Sequence, residues 1–412
     1  MDSQAQLVTA KYSIYLEQRK AGGPRRYFSN RAHALYFLRA AAPTKLVDGA
    51  WLYGLLPHWR NSRFVELVRT YVEELGSGAA GKNHVVLYRK LMSRYGLNPI
   101  HDLSDEFYIQ GLIQLALGWN GEEFLPEIIG FNLGYEQLPL HLLITAYELN
   151  ELGLDPYYFT LHVTVDNAAA GHARRACQAV LDTLPRLGDA QHFWQRVCNG
   201  SKLGYAGIGT NALIEGFDIG HEVVRIFMNK SSAGHGAHSD YCRVAGRSIN
   251  DWLSQPEQIP DFLSALHQAG WIKPGEPVEQ SRFWGLLQGE SAEMFGVFSG
   301  YELQVIHDWI RGSASADGQA CAASGALPVT ARPASFRASV RLADARGKSL
   351  MAAAQPATLL DPDLQALDHQ LRTLDDTGQL DLLIEAMSPA QHWTPAGLHA
   401  TGLFWEKIHC QG

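Results

Sequence analysis

The 412-residue sequence predicts an all-α fold, because apolar residues recur at helical spacing in long stretches separated by glycine and proline. Residues 31–41 form the first strongly periodic stretch, and residues 45–56 follow as a second predicted helix. A third runs over residues 63–75. Residues 84–190 are divided by further glycines and prolines into the helices of a bundle core. A chain of this length can bury a substantial core and hold more than one domain.

Composition narrows the class of protein. Hydrophobic residues make up 46% and charged residues 18%, as in an ordered globular chain. The formal net charge is -8 and no basic run occurs, so nucleic acid is not expected as a partner. No stretch approaches the ~20 apolar residues of a membrane-spanning helix, and the polar start lacks a signal-peptide core. Five cysteines without a Cys-x-x-Cys pair predict reduced thiols and a cytoplasmic location.

The segment from His162 to His172 is the first candidate for metal chemistry. His162 and Asp166 are four residues apart, so on a helix they lie one turn apart on the same face and can bind one metal ion. His172 lies six residues beyond Asp166 and joins them only if the helix is locally distorted. The small residues 167–171 would permit that distortion. The alternative for His162 and Asp166 is an ordinary hydrogen-bonded pair on a helix.

Two upstream features have the same character. Glu74 ends a predicted helix and His84 begins the next one, and a glycine-rich break between them would let both side chains turn inward. Glu136 lies in a strongly apolar stretch, where a carboxylate is either buried at a high cost or bound to a metal ion. A solvated helix face is the alternative for Glu136.

In their order, these residues resemble the haem-oxygenase-like di-iron oxidases and oxygenases, the iron-containing redox enzymes. The resemblance covers roughly residues 45–190. It implies a haem-oxygenase-like helical bundle, with helical extensions in this chain, that binds two iron ions and no haem. It also implies a ligand set, which would be Glu74, His84, Glu136, His162, Asp166 and His172. Glu136 would bridge or bind terminally, and the other five would be terminal ligands. His172 departs from the family spacing, which leaves the affinity for the second iron open.

The resemblance also implies an activity. Members use dioxygen to oxidise a small organic substrate, by N-oxygenation, desaturation or carbon–carbon cleavage. We expect an amino acid or a derivative as substrate, with a fatty acid second, because these are substrates of the family. An external electron donor and a homodimer are compatible with this expectation, whereas a membrane partner is not expected.

The predicted domain organisation has five parts. They are an N-terminal helical extension (1–45), the di-iron bundle (46–230), a lid loop with additional helices (231–312), a linker or insert rich in Ala, Ser, Gly and Pro (313–362), and a C-terminal helical segment (363–412). In the lid loop, His235, His238 and Asp240 offer a second metal cluster, and a flexible glycine-rich loop is the alternative.

Two other classes of function stay open. The dipeptides His101-Asp102 and His307-Asp308 are compatible with an HD-type metal-dependent phosphohydrolase, in which such a pair bridges two metal ions. A non-catalytic helical scaffold is the remaining class, and it would leave six ordered ligand-type residues unexplained.

Overall fold

A computed structural model describes residues 2–98, 100–137, 140–165, 171–288, 292–312 and 361–410, and it confirms the all-α fold. The α-helices up to the middle of the chain are α1 Asp2–Lys20, α2 Arg31–Ala40, α3 Ala42–Lys45, α4 Val65–Glu74, α5 His84–Tyr95, α6 Ile109–Trp119, α7 Leu125–Tyr135, α8 Leu140–Glu151, α9 Tyr157–Val165, α10 His172–Thr183 and α11 Ala190–Leu203. Those that follow are α12 Thr210–Glu215, α13 Ile219–Gly234, α14 Ile249–Leu253, α15 Ile259–Gln268, α16 Arg282–Leu287, α17 Gly300–Arg311, α18 Pro362–Leu371, α19 Asp376–Ala386 and α20 Pro395–Cys410.

Short 3-10 helices and one small hairpin complete the described secondary structure. The 3-10 helices are Ala50–His58, Ser62–Phe64, Gly76–Gly78, Asp105–Tyr108, Pro256–Gln258 and Val278–Gln280. Strands β1 Arg243–Val244 and β2 Arg247–Ser248 pair antiparallel. In the ranges given above, no helix is long and apolar enough to cross a membrane.

The helices that supply the candidate site residues pack directly on one another. Helix α10 lies against both α4 and α7, α5 contacts α9, and α7 packs along α11. Gly130 and Gly200 make the α7–α11 contact close, since a Cβ on Gly130 would lie 1.8 Å from the backbone oxygen of Val197. Burial of the apolar faces of these helices therefore fixes the positions of α4, α5, α9 and α10, the four helices that contain candidate site residues.

The C-terminal helices pack against the back of the same region. Helix α20 contacts the Gly76–Gly78 turn, where a Cβ on Gly78 would lie 2.8 Å from the backbone of Gly402. The hydroxyl of Tyr71 donates a hydrogen bond of 2.7 Å to the carbonyl of Met387. Tyr71, Met387 and Phe404 belong to one buried hydrophobic cluster. Residues 361–410 thus support the end of α4, although they are distant in sequence.

The helix predicted over residues 45–56 is wrong. The structure has α3 ending at Lys45, a turn over residues 46–49 and a 3-10 helix from Ala50. Gly49 has φ of +83°, which a continuous right-handed helix does not allow. The turn carries Asp48 into the interior, where only 4% of this residue is exposed.

Candidate metal centre

His162 has a polar neighbour on each side of its ring. Nδ1 lies 2.9 Å from the carbonyl oxygen of Tyr158, one helical turn earlier, and can only donate to it. Nε2 lies 3.1 Å from Oδ2 of Asp48. The hydroxyl of Tyr158 donates to the same oxygen at 2.7 Å, and Lys45 Nζ lies 3.7 Å from it. The Asp48 carboxylate is therefore held from three sides, next to a ring nitrogen suited to binding a metal ion.

Glu74 and His84 meet across the glycine-rich break predicted between them. Gly76 and Gly78 take φ of +67° and +85°, and the Asn83 side chain caps α5 by accepting a hydrogen bond from Val86 N at 3.0 Å. His84 is consequently the first residue of α5, and its Nδ1 lies against the Glu74 carboxylate. Both residues are at most 3% exposed.

His172 and Glu136 approach Glu74 from two other helices. His172 is the first residue of α10, and Glu136 directly follows the end of α7. Nδ1 of His172 lies 3.1 Å from Oε1 of Glu74 and 3.4 Å from Oε2 of Glu136. On its other side, Nε2 of His172 lies 3.1 Å from Oε2 of Glu73. Glu74, Glu136 and His172 are all buried.

The buried side chains form two groups that could each hold a metal ion. The first consists of Asp48, Glu74, His84 and His162, and the second of Glu74, Glu136 and His172. Within each group, one ligand atom per residue lies within 4.8 Å of the others. Two atoms bound to one ion at about 2.1 Å and at right angles would be about 3 Å apart, close to several separations given above. Glu74 belongs to both groups, with one carboxylate oxygen directed to each.

His84 provides an independent test of whether the residues fit a metal ion. Both of its ring nitrogens are buried, and neither makes a hydrogen bond with the residues that the structure describes. The contact of Nδ1 with Glu74 lacks the direction of a hydrogen bond, although the two atoms are close. A buried imidazole in this state is costly by itself. A cation between the imidazole and the carboxylate would give one of these nitrogens a partner, and mixed nitrogen and oxygen ligands suit iron.

The electrostatics of the site favour ionised carboxylates. Burial acts to raise the pKa of Asp48, but Lys45 and the hydrogen-bonded His162 outweigh it and lower the pKa to about 2. Burial also opposes ionisation of Glu74, and the neighbouring imidazoles of His84 and His172 hold its pKa well below the usual range. Both carboxylates are therefore in the form that binds a metal ion at neutral pH.

A cavity of about 250 Å³ opens onto both groups. Asp48, Glu74, Glu136 and His162 contribute to its wall. The rest is a mixture of aromatic, aliphatic and polar side chains, which include Phe37, Trp51, Phe159, Lys45, Gln110 and Thr145. The site thus has access to a chamber of the size of a small organic molecule.

Five of the six residues predicted from the sequence lie in the two groups. These are Glu74, His84, Glu136, His162 and His172. The sixth, Asp166, lies outside the described residues, so its role stays a prediction. The distorted helix predicted to carry both His162 and His172 does not reach His172 continuously, because Gly171 is extended and precedes a new helix, α10, that begins at His172. Asp48 was missed because it is 26 residues upstream of Glu74, although an Asp-Gly pair is a common turn signal.

The other candidate residues lie elsewhere. Asp102 pairs with Arg39 and Arg225, and Asp308 accepts a hydrogen bond of 2.9 Å from the backbone of Ala32. Neither His-Asp dipeptide belongs to a metal-type group among the described residues. The same holds for the cluster proposed in the 231–241 loop, which also contributes no described residue to the cavity wall. Its role as a lid and the five-part domain division stay predictions.

Comparison with known families identifies the central part of the chain. Residues 35–205 match the family described as iron-containing redox enzymes. This range includes every residue of the two groups. No curated protein matches the chain. No solved structure matches it either. The match agrees with the all-α fold and with the buried histidines and carboxylates. The match therefore supports the haem-oxygenase-like family of iron-containing redox enzymes for residues 35–205 of the chain.

Proposed function

We propose that the protein is a non-haem di-iron oxidase or oxygenase that uses dioxygen to oxidise a small organic substrate. One iron ion would be held by Asp48, Glu74, His84 and His162, and the other by Glu74, Glu136 and His172. The observation that carries the proposal is the position of Glu74, whose two carboxylate oxygens face the two groups. Asp166 remains a further proposed ligand. Two ferrous ions in such a site supply two electrons to dioxygen when bound.

The chain itself would orient the ligands and shape the substrate chamber. Tyr158 holds both Asp48 and His162, through its hydroxyl and its carbonyl oxygen respectively. Burial and the neighbouring Asp48 keep the pKa of the Tyr158 phenol well above its usual value, so this hydroxyl stays a donor. Phe37 and Phe159 in the wall would limit water in the chamber.

An amino acid or a derivative is the substrate that we favour over a fatty acid. A volume of about 250 Å³ is small even for a drug-sized ligand and supports a compact molecule. Lys45 is the only lysine or arginine among the described residues of the wall, and its ammonium is suited to a substrate carboxylate. N-oxygenation, desaturation and carbon–carbon cleavage all stay within the proposal, because one scaffold can support different reactions.

Ligand substitution under anaerobic conditions tests the proposal. Titration with ferrous iron should show two bound ions per wild-type chain and one bound ion per chain in the His84→Ala and Glu136→Ala variants. In the Glu74→Ala variant, both ions should bind more weakly than in the wild type. Glu122→Ala, which removes a carboxylate whose side chain is 85% exposed, serves as the control and should leave both ions in place. Circular dichroism should show unchanged helix content in all variants. Dioxygen uptake that depends on iron and is stimulated by an amino acid would support the activity. Binding of fewer than two ferrous ions by the wild type would overturn the proposal.

A further inference from the structure

His172 has carboxylates on both sides of its ring. Its Nδ1 faces Glu74 and Glu136 in the second metal group. Its Nε2 lies 3.1 Å from Oε2 of Glu73, the residue directly before Glu74 on α4. Glu73 is not a member of either metal group. Because a carboxylate only accepts, the Nε2 position must carry the proton, and this leaves the Nδ1 lone pair for a metal ion.

Glu73 is itself fixed by two arginines. Arg175, one turn after His172 on α10, donates to Oε2 at 2.5 Å. Arg69, one turn before Glu73 on α4, donates to Oε1 at 3.0 Å. Both contacts are ion pairs, so the Glu73 carboxylate lies between two guanidinium groups. The acceptor of the His172 proton is therefore both charged and held in place.

The two metal groups differ in this respect. In the first group, His162 donates its outer proton to the neutral carbonyl of Tyr158. In the second, His172 donates to the ionised carboxylate of Glu73. A carboxylate partner makes the imidazole a stronger metal ligand and fixes its tautomer more firmly than a neutral acceptor does.

We propose that Glu73 is a positioning residue that fixes the tautomer and direction of His172 and thereby sets the affinity of the second metal group. This inference rests on the proposed function, because it requires that Glu74, Glu136 and His172 bind an ion. It adds a residue that sequence motifs do not single out, since Glu73 and Glu74 are adjacent acids on one helix. The helix turns Glu74 towards the cavity and Glu73 towards α10.

The variant Glu73→Gln tests the inference, because the amide keeps the shape of the side chain but removes its charge. We expect the second ferrous ion to bind about 10- to 100-fold more weakly, with the first ion unchanged. The readout is anaerobic calorimetric titration of the metal-free protein with ferrous iron. Glu66→Gln is the matched control: Glu66 lies on the same helix and 3.6 Å from Arg175, and its replacement should change neither affinity.

The outcomes separate the inference from the proposed function. Unchanged binding of both ions by Glu73→Gln would overturn the inference, and so would equal weakening of both ions. If wild-type protein binds fewer than two ions, the proposed function fails first. The unfolding temperature of each metal-free variant monitors general damage to the fold. Should Glu73→Gln not fold, Glu73→Asp keeps the charge but shortens its reach, and it should weaken the second ion selectively. Unchanged or unselective binding there would equally overturn the inference.

Discussion

Replacement of Gly49 by alanine probes the packing around Glu74. Gly49 has φ of +83°, and a Cβ on it would lie 3.0 Å from Cβ and 3.2 Å from Cγ of Glu74. The left-handed conformation costs a non-glycine residue about 1–2 kcal/mol. Overpacking in a close-packed interior costs about 1–3 kcal/mol more. We therefore expect Gly49→Ala to lower the free energy of unfolding by about 2–5 kcal/mol, and to weaken both ferrous ions because Glu74 belongs to both groups.

Gly22 provides the matched control for this prediction. Its φ is +86°, but a Cβ there would meet no atom within 4 Å. Gly22→Ala should consequently lose only the backbone contribution of about 1–2 kcal/mol and keep normal iron binding. Urea unfolding of the metal-free proteins and anaerobic ferrous titration are the assays. Equal destabilisation in the two variants, together with wild-type iron binding by Gly49→Ala, would show that the contact between Gly49 and Glu74 does not constrain the site.

Three further predictions address other parts of the molecule. Asp48→Asn removes a charge from the first group alone, so ferrous titration should show that ion weakened and the second retained. His392→Ala removes the acceptor that lies 3.2 Å from Asn83 Nδ2 and should cost about 1–3 kcal/mol in urea unfolding. Burial acts to raise the pKa of Glu222, but the hydrogen bonds and the charge of Arg225 outweigh it, so the pKa is lowered. The stability that ionised Glu222 contributes is therefore present above pH 4.5 and is lost as the pH falls through the pKa of the folded state. Glu222→Gln should therefore be about 1–3 kcal/mol less stable than wild type at pH 7, with a smaller difference in acid.

The all-α fold and most of the site could be predicted because their signals are local. The turn between Glu74 and His84 requires positive φ angles, which the glycines in this segment adopt readily. A short stretch of sequence is therefore sufficient to bring these two residues together. His162 and His172 fall in a segment rich in small residues, and the order of the residues resembles a known family. The family assignment of residues 35–205 then agrees with the resemblance.

The remaining part of the site depends on tertiary packing, which has no local signature. Asp48 reaches the site because Gly49 breaks a stretch that has helical periodicity throughout. The sequence pattern selects Glu74 as a ligand but gives no role to Glu73, whose contact with His172 depends on the packing of α4 against α10. The contact of His392 with Asn83 joins residues 309 positions apart. Such contacts are specified by the assembled core and not by any one segment.

The proposed role of Glu74 as a ligand shared by two iron ions can be measured by Mössbauer spectroscopy of anaerobic protein loaded with enriched ferrous iron. Because the two groups have different ligand sets, we expect two ferrous ions per chain that give two distinct signals of equal area. Both signals should be strongly reduced in Glu74→Ala protein at the same iron concentration. A single ferrous ion per wild-type chain, or a Glu74→Ala protein that retains one signal at full intensity, would show that Glu74 is not a shared ligand of two iron ions.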